Sequence, residues 1–455
     1  MSAEPLSLSA LQVALERPLF AEKSWRLSPE PWTLPEKALE ELHSIGQACL
    51  VFHQALERLY LKSRADERIL RNGELRVPWV AQYLDEGKPS WLLEHGASKA
   101  VKGHFPVVLR PDLMTAADGF ALVEMDAVPG GIGLTAFLEE LYLGGKSNGM
   151  PEAFHASLSA LVPDKANASI ALVVSDEAAT YRPEMEWVAD VLQEKGRKVT
   201  VAHPDDLKVR SDGVFLGDEK QDVLYRFWEL FDHEEVPVMR EIAQAVEEGV
   251  VKVTPPMRAF QEEKSALGLF WHHRLEEFWR ENLSKHAWKL LRLVIPRTWI
   301  LDPKELPPGA VLDGPEVGGK RLTSWRDLAS ATKKERELVI KASGFHETAW
   351  GARSVVIGSD ESSEDWGNSI GHALDAFPKP VQVLQEYRKS ARLQHPVYDD
   401  AGETMSMEGR LRLSPYYFTS NGQAELSGAL ATFCPADKKI IHGMQDGVLL
   451  PCLLT

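Results

Sequence analysis

A chain of 455 residues is longer than one hydrophobic core normally serves, so we expect two or three subdomains. Acidic residues outnumber basic ones, 67 against 51, and the resulting formal net charge of −16 repels nucleic acid. The three cysteines lack metal-ligand spacing, and no apolar run approaches the roughly 18 residues of a membrane span. The first residues show no signal-peptide features. Together these features predict a cytoplasmic protein without a membrane partner.

Helical periodicity, with apolar residues every three or four positions, dominates residues 34–100. Two short apolar runs at 107–109 and 120–125, separated by Asp118 and Gly119, then predict a β-hairpin. A glycine-rich turn, PGGIG, follows the hairpin and opens a short helix. The first third of the chain therefore changes from helical to β character.

The remaining two thirds alternate between α/β and antiparallel patterns. Residues 169–203 predict a strand, an amphipathic helix and a second strand, which together form a βαβ unit. Further elements are predicted as strands at 222–228 and 250–256, a helical stretch at 258–293, strands at 337–343, 354–358 and 381–387, a helix near 364–376, and an antiparallel tail at 405–450.

Four charged residues cluster on the predicted hairpin. Arg110 and Asp112 lie on the first strand, and Glu124 and Asp126 lie on the second, where residues two apart share a face. Three carboxylates on one face repel each other unless a hard cation neutralises them, and oxygen ligands suit Mg²⁺ bridged to phosphates. An arginine beside them can stabilise the charge of a transferred phosphoryl group. Taken alone, the pattern also fits solvated charges on an edge hairpin.

Two lysines later in the chain stand where phosphate binding is favoured. Lys264 opens a helix after a predicted strand. Lys341 lies inside an apolar strand, where a lysine is unusual unless its charge is paired or has a function. Ser343 follows, and Gly344 and Gly351 bracket a loop whose backbone N–H groups can cover phosphates, although the loop is not a Walker A motif. Taken alone, a strand lysine also fits an edge residue that extends its ammonium to solvent.

The end of the strand VQVLQEY supplies a third feature of this kind. Its last residues, Gln385, Glu386 and Tyr387, fit a hinge at which backbone groups bind adenine and a carboxylate binds ribose. A phosphate loop and, about 40 residues later, a hinge together predict a nucleotide site.

In this order, the features resemble the circularly permuted ATP-grasp ligase family, and the likeness is to the synthetase domain of glutathionylspermidine synthase. Residues 110–113, Arg-Pro-Asp-Leu, match the family's Arg-x-Asp-Phe motif with Leu for Phe. Residues 124–126, Glu-Met-Asp, begin twelve residues after Asp112 and match its Glu-x-Asn motif with Asp for Asn. The strand DVLYRFW, the Glu-x-Lys at 262–264, the glycine-loop segment and VQVLQEY follow in the family's order. The resemblance covers roughly residues 105–435.

The resemblance implies a role for each matched residue. Asp112, Glu124 and Asp126 would hold Mg²⁺ ions that bridge the phosphates of ATP. Lys264 and Lys341 would contact the α- and β-phosphates.

Further roles implied by the resemblance concern the loop, the hinge and the arginines. The loop 343–353 would close over the nucleotide, and residues 385–387 would seat the adenosine. Arg110 would face the reacting centre, joined by one arginine of the late β region. Arg410 and Arg412 both fit that region, and Arg412 is preferred, although a register error of one residue would send the side chain to the other face.

The implied reaction joins a carboxylate to an amine, with ATP and Mg²⁺ as cofactors and with small-molecule substrates of the amino acid, peptide or polyamine class. The acid becomes an acylphosphate, and the amine then displaces phosphate. The alternatives are an ATP-grasp phosphotransferase, for which no phosphoryl-accepting histidine is evident, and a non-catalytic nucleotide-binding protein, which the Asp at position 126 slightly favours. The oligomeric state stays open.

The predicted fold is a mixed α+β and α/β chain with an ATP-grasp fold in circularly permuted order. The helical start does not match the amidase domain of glutathionylspermidine synthase, so glutathione and spermidine are not implied as substrates. The expected parts are an N-terminal helical segment at 1–104, the metal-binding part of the ATP-grasp core at 105–165, a pre-ATP-grasp α/β unit at 166–260, a helical lid or linker at 261–330, and an ATP-binding subdomain with a C-terminal β region at 331–455.

Overall fold

The structure, a computed structural model, describes residues 5–20, 25–126, 128–144, 149–349, 352–441 and 446–454. The chain divides into two compact units, of which the first comprises Met1–Leu50, Ser98–Met257 and Ser390–Thr455, and the second comprises Val51–Ala97 and Arg258–Lys389. Helices and several sheets are present in the described ranges, which confirms the mixed α and β class. None of the helices in these ranges is both long enough and apolar enough to cross a membrane.

A mainly antiparallel sheet dominates the first unit. Among the described residues it contains seven strands, in the spatial order Trp32–Thr33, Val448–Leu453, Gln423–Pro435, Thr404–Ser420, Val108–Ala116 and Gly119–Asp126, with Leu393–Tyr398 also paired to Thr404–Ser420. Asn421 and Gly422, both at positive φ, form the two-residue turn between the two longest strands. The predicted hairpin and antiparallel tail are therefore confirmed. The helices Leu8–Leu15, Ile132–Leu143 and Met150–Ser159 also belong to this unit.

The predicted βαβ unit is also confirmed, as part of a parallel sheet. In spatial order its strands are Lys252–Thr254, Val223–Phe227, Ile170–Val174 and Val199–Ala202. The two central strands are buried at every position, as expected where both faces of a parallel sheet are covered. The helices Arg182–Glu194 and Val238–Glu247 and a small sheet of Leu207–Arg210, Gly213–Leu216 and Glu219–Gln221 complete this part.

The second unit contains an antiparallel sheet, which we call the lysine sheet because it carries Lys341. Its strands, in spatial order, are Thr298–Leu301, Gln382–Glu386, Leu338–Ala342 and Val356–Ile357. A core that includes Trp366 of the helix Ser363–Asp375 packs on one face. The helix Ser265–Trp271 lies against the other face, where Gly268 approaches Ile300. The lysine sheet thus has one face committed to the core of the unit.

The predicted helical stretch at 258–293 is broken into three helices, Ser265–Trp271, Glu276–Asn282 and Lys285–Val294. The break before the last helix has a local cause, since the Ser284 hydroxyl accepts from the Ala287 N–H at 3.1 Å and caps a new helix. The strand predicted before Lys264, at 250–256, is Lys252–Thr254, and a 3₁₀ turn stands between that strand and Lys264. Remaining elements are the helices Glu36–Arg64, Pro78–Asp85 and Ser90–Ala97, the strands Glu316–Val317 and Lys320–Arg321, and 3₁₀ turns at Pro18–Phe20, Ala179–Tyr181, Pro204–Asp206, Leu230–Asp232, Ala259–Glu262, His273–Leu275, Trp325–Ser330 and Glu347–Ala349.

His395 makes the large sheet of the first unit sensitive to acid. Its Nε2 lies 3.0 Å from the Ser28 hydroxyl, and its ring lies 4.9 Å from that of Trp32. Burial lowers the pKa of His395 to about 4. The pKa of a histidine in an unfolded chain is about 6.5, so between these two pH values the unfolded chain binds a proton that the native chain does not. The contribution of neutral His395 to the free energy of unfolding is therefore fully present above a pH of about 6.5 and is lost as the pH falls toward about 4.

We therefore expect the free energy of unfolding to fall less steeply between pH 6.5 and 4 in His395→Gln than in the unsubstituted protein. Urea unfolding at several pH values measures this slope, and the slope is informative even if the substitution lowers stability at every pH. His43→Gln, at an exposed position of the helix Glu36–Arg64, is the matched control. Identical slopes for His395→Gln and the unsubstituted protein would contradict the assignment.

Candidate functional site

The hairpin of Val108–Ala116 and Gly119–Asp126, here called the carboxylate hairpin, brings the four predicted charges together. Arg110 stands directly opposite Asp126, and Asp112 stands directly opposite Glu124. Directly opposite residues of an antiparallel pair project to the same face. The predicted meeting of these side chains is therefore confirmed.

A β-bulge makes this arrangement possible. The register shifts between Asp112 and Leu113, so that Leu113 pairs with Leu122 while Asp112 pairs with Glu124, and Val123 is the extra residue. In a regular strand, residues 122 and 124 would point to the same face. The bulge instead places Leu122 on the buried face and Glu124 on the charged face.

Two arginines pair with Asp112 and Asp126 on this face. Arg110 Nη2 lies 2.8 Å from Asp126 Oδ2, and Arg110 Nε lies 3.5 Å from Asp112 Oδ1. Arg412 Nη1 lies 3.2 Å from Asp112 Oδ2. Burial works against the charge of Arg110, but the carboxylates of Asp112 and Asp126 outweigh it and raise the pKa of the guanidinium well above its ordinary value. Arg110 therefore stays charged.

Asp126 and Asp112 differ in how the protein supports them. Burial raises the pKa of Asp126, the charge of Arg110 opposes the rise, and the carboxylates of Glu124 and Asp112 add to it. Asp112 also accepts a hydrogen bond of 2.9 Å from the Ser414 hydroxyl. Ser414 was missed in the sequence, although its position two residues after Arg412 on an alternating strand places it on the same face.

The structure distinguishes the two arginines of the late β region. Both project to the charged face of the strand Thr404–Ser420, since they are two residues apart. Arg412 reaches Asp112, whereas Arg410 Nε donates to the carbonyl of Ala436 at 3.0 Å and its residue is only 6% exposed. Arg412 therefore contacts a carboxylate of the hairpin.

The fit of this face to Mg²⁺ depends on the kind of site considered. Among the described residues, no three His, Cys, Asp or Glu side chains form a group that could hold a metal ion unaided. Mg²⁺ at phosphate sites is commonly held by one or two carboxylates together with phosphate oxygens, rather than by a cage of protein ligands. Asp112, Glu124 and Asp126 stand on one face of the hairpin, and one or two of them would suffice for that second mode.

The PGGIG turn, residues 129–133, contacts Arg110 through its backbone. The carbonyl of Gly130 accepts from Arg110 Nη1 at 2.9 Å and from the Tyr416 hydroxyl at 2.7 Å. The carboxylate of Glu184 accepts from the Gly131 N–H at 2.6 Å and caps the helix Ile132–Leu143. The turn therefore lies beside the predicted metal ligands and fixes the position of Arg110 through a backbone carbonyl.

In the second unit, Lys341 belongs to a polar chain across the lysine sheet. Its residue is only 8% exposed, and its ammonium donates to Gln385 Oε1 at 3.0 Å. Gln385 Nε2 donates in turn to the Thr298 hydroxyl at 3.1 Å. The register puts the three side chains on the face opposite the Trp366 core. Gln385 therefore orients Lys341.

Lys264 lies against the glycine loop, residues 343–353. Its backbone N–H donates to the carbonyl of Ser343 at 3.0 Å, and its ammonium donates to the carbonyl of Ala349 at 2.6 Å. Lys341 precedes the same loop by two residues. The structure therefore brings both predicted lysines, Ser343 and Gly344 to one loop, whereas Gly351 lies outside the described residues.

The predicted adenosine hinge is divided between the two faces of the lysine sheet. Val339 pairs with Gln385 and Leu338 pairs with Glu386, so the Gln385 side chain shares the face of Lys341 and the Glu386 side chain points to the other. The backbone N–H groups of Glu386 and Tyr387 donate to the carbonyls of Arg297 and Glu337 at 2.8 and 3.0 Å. These two donors are therefore used within the unit.

A cleft of about 970 Å³ opens at this end of the lysine sheet. Glu386 and Tyr387 line it, together with Arg297, Trp299 and Leu338. Trp299, Leu338 and Glu386 point away from the face of Lys341, so this cleft is lined from the opposite face of the sheet.

Comparison with known proteins bears on the fold. No family model and no curated protein matches the sequence. Among solved structures, the chain resembles a glutathione synthetase-like effector from Globodera pallida in its apo form, with a TM-score of 0.53 and 14% identity over 98% of this chain and 96% of that chain. It is also similar to a proposed gamma-glutamylcysteine synthetase from Methylobacillus flagellatus KT, with a TM-score of 0.41 and 13% identity over 87% and 86%. The first likeness shows a shared fold, and the second is too distant to carry an argument.

Proposed function

We propose that this chain is an ATP-dependent carboxylate–amine ligase with an ATP-grasp fold in circularly permuted order. The observation that carries the proposal is the meeting of Lys264 and Lys341, far apart in sequence, at one glycine loop. An acidic protein with a net charge of −16 needs such a local group of cations to bind a polyphosphate. The fold shared with a glutathione synthetase-like effector agrees with this class.

In the proposed reaction, Lys264 and Lys341 bind the phosphates of ATP, and the backbone of the glycine loop covers them. The acid attacks the γ-phosphorus, the bond to the β-phosphate oxygen breaks, and ADP and an acylphosphate result. The amine then attacks the acyl carbon, loses a proton and expels phosphate, which leaves an amide. Arg110 and Arg412 stabilise the phosphoryl group and the tetrahedral oxyanion.

Mg²⁺, held by Asp112, Glu124 and Asp126 with phosphate oxygens, would supply charge neutralisation for the transfer. Arg110 and Arg412 beside these carboxylates offset part of their negative charge. The adenosine would lie at residues 385–387, on the side of the lysine sheet that carries Lys341 and Gln385. The substrates proposed are an acid and an amine of the amino acid, peptide or polyamine class.

Product analysis tests the proposal. The protein is incubated with Mg-ATP and pools of amino acids, peptides and polyamines, and nucleotide products are separated from condensed products. We expect ADP and phosphate only when an acid and an amine are both present. AMP with pyrophosphate, or ATP binding without turnover in any pool, would sink the ligase assignment.

A further inference from the structure

A buried ionic cluster joins separate parts of the second unit beside the glycine loop. Lys88 Nζ lies 2.6 Å from Glu263 Oε1, and the two side chains are 2% and 3% exposed. The other carboxylate oxygen of Glu263 accepts a hydrogen bond from the Ser343 hydroxyl. Glu263 thus connects Lys88, on the segment before the helix Ser90–Ala97, with the first residue of the glycine loop.

Ser343 is tied to the same short segment through other atoms as well. Its carbonyl accepts from the Lys264 N–H at 3.0 Å, and its hydroxyl oxygen accepts from the Ser265 N–H at 2.8 Å. Its own N–H donates to the carbonyl of Val381 at 2.8 Å. Three of these four hydrogen bonds, including that of Glu263, connect the loop with the segment containing Lys264. A displacement of Glu263 would therefore displace the start of the loop relative to Lys264.

The residues that follow Ser343 leave this segment little freedom. A side chain at Gly344 would approach the carbonyl oxygen of Glu262 to 2.9 Å and Glu263 Cδ to 3.0 Å. Phe345 has a φ of 44°, in the left-handed region that non-glycine residues rarely occupy. Lys88 Nζ lies 5.4 Å from the centre of the Phe345 ring, within cation–π range. Lys88 therefore contacts the loop as well as the carboxylate.

Stability alone does not explain why Lys88 and Glu263 form a buried ion pair. Removing two charges from water costs several kcal/mol for each, and an apolar pair of the same volume often stabilises a fold equally well. We propose that Glu263 is a positioning residue of the nucleotide site, which holds Ser343 and the glycine loop in register with Lys264, with Lys88 as its counter-charge. The inference rests on the proposed function, which assigns this loop to ATP.

Two double variants separate positioning from charge burial. Lys88→Met with Glu263→Gln and Lys88→Met with Glu263→Leu both remove the ion pair, but only glutamine keeps an acceptor for the Ser343 hydroxyl. We expect the glutamine form to bind Mg-ATP within about twofold of the unsubstituted protein, and the leucine form to bind about tenfold more weakly, as the loss of one buried hydrogen bond implies. Calorimetric titration with Mg-ATP measures the Kd.

Amide hydrogen exchange over residues 343–349 supplies a readout that does not need ATP. We expect faster exchange in the leucine form than in the glutamine form. Equal exchange and equal Kd in the two forms would overturn the inference. If the unsubstituted protein binds no Mg-ATP, the proposed function fails, and exchange alone decides the positioning role: faster exchange in the leucine form supports it, and equal exchange overturns it.

Glu57→Gln is the matched control for these variants. It removes the carboxylate that pairs with Arg258 at 2.5 Å, another buried ion pair of the second unit. We expect it to lower stability without changing exchange at residues 343–349 relative to the unsubstituted protein. A similar rise in exchange in Glu57→Gln would mean that the loop responds to general destabilisation, which would overturn the specific role of Glu263.

Discussion

Replacing Lys341 with methionine is expected to reduce kcat/KM for ATP-dependent amide formation at least about 100-fold, the scale found when one preorganised electrostatic group is removed. Lys341 is buried in a strand, and its ammonium is oriented by Gln385 at 3.0 Å. Methionine retains much of the apolar stem and loses the charge. The proposed phosphate contact therefore disappears, while the packing of the lysine sheet is largely kept.

A coupled assay of ADP release measures this effect, and thermal unfolding shows whether the variant is folded. Lys333→Met, at an exposed position of the same unit, is the matched control and should keep full activity. Gln385→Leu should give a smaller loss than Lys341→Met, because it removes the group that orients the ammonium rather than the ammonium. Unchanged turnover in a folded Lys341→Met variant would exclude Lys341 from the site.

The local elements of this chain follow from its sequence because each has a strong short-range signal. Asn421 and Gly422 accept positive φ at little cost and so predict the hairpin of the late β region. The run of residues 170–174 is apolar at every position and predicts a strand covered on both faces. Asp118 and Gly119 between two apolar runs predict the earlier hairpin, which the register confirms.

The faces on which side chains lie are harder to predict, because one residue of register changes them all. The bulge at Val123 reverses the alternation, and no periodic pattern announces it. The hinge shows the same effect, since Gln385 and Glu386 were predicted to act together and the strand sends them to opposite faces. Alternation within a strand already implied this division, so that signal was available.

Pairings between distant segments leave no local signal at all. Lys88 follows the turn after the helix Pro78–Asp85, and Glu263, directly after the 3₁₀ turn Ala259–Glu262, is the variable position of the Glu-x-Lys motif, so no motif signals their pairing. Only the fold brings them together. The roles assigned to the site residues and the five-part functional division of the chain stay predictions, and the variants described here address the site residues directly.

Replacing Asp112 with asparagine is expected to affect both stability and the response to Mg²⁺. The carboxylate lies between Arg110 and Arg412, at 3.5 and 3.2 Å, and accepts from the Ser414 hydroxyl. Without its charge, two guanidinium groups lose a shared partner on a mostly buried face. The free energy of unfolding should fall by about 2–4 kcal/mol, near the lower end of the range for a broken buried pair because the arginines are partly hydrated.

The Mg²⁺ requirement for turnover should change independently of this loss of stability. If Asp112 is a ligand of Mg²⁺, the Mg²⁺ concentration for half-maximal turnover should rise at least about tenfold in Asp112→Asn. Ser414→Ala removes only the supporting hydrogen bond and should cost about 1 kcal/mol, with a smaller shift in the Mg²⁺ requirement. Asp118→Asn, in the exposed turn of the same hairpin, is the control and should change neither quantity. A variant at Asp112 that is destabilised but keeps its Mg²⁺ requirement would show that this carboxylate serves the arginines alone, and the metal would then depend on Glu124 and Asp126.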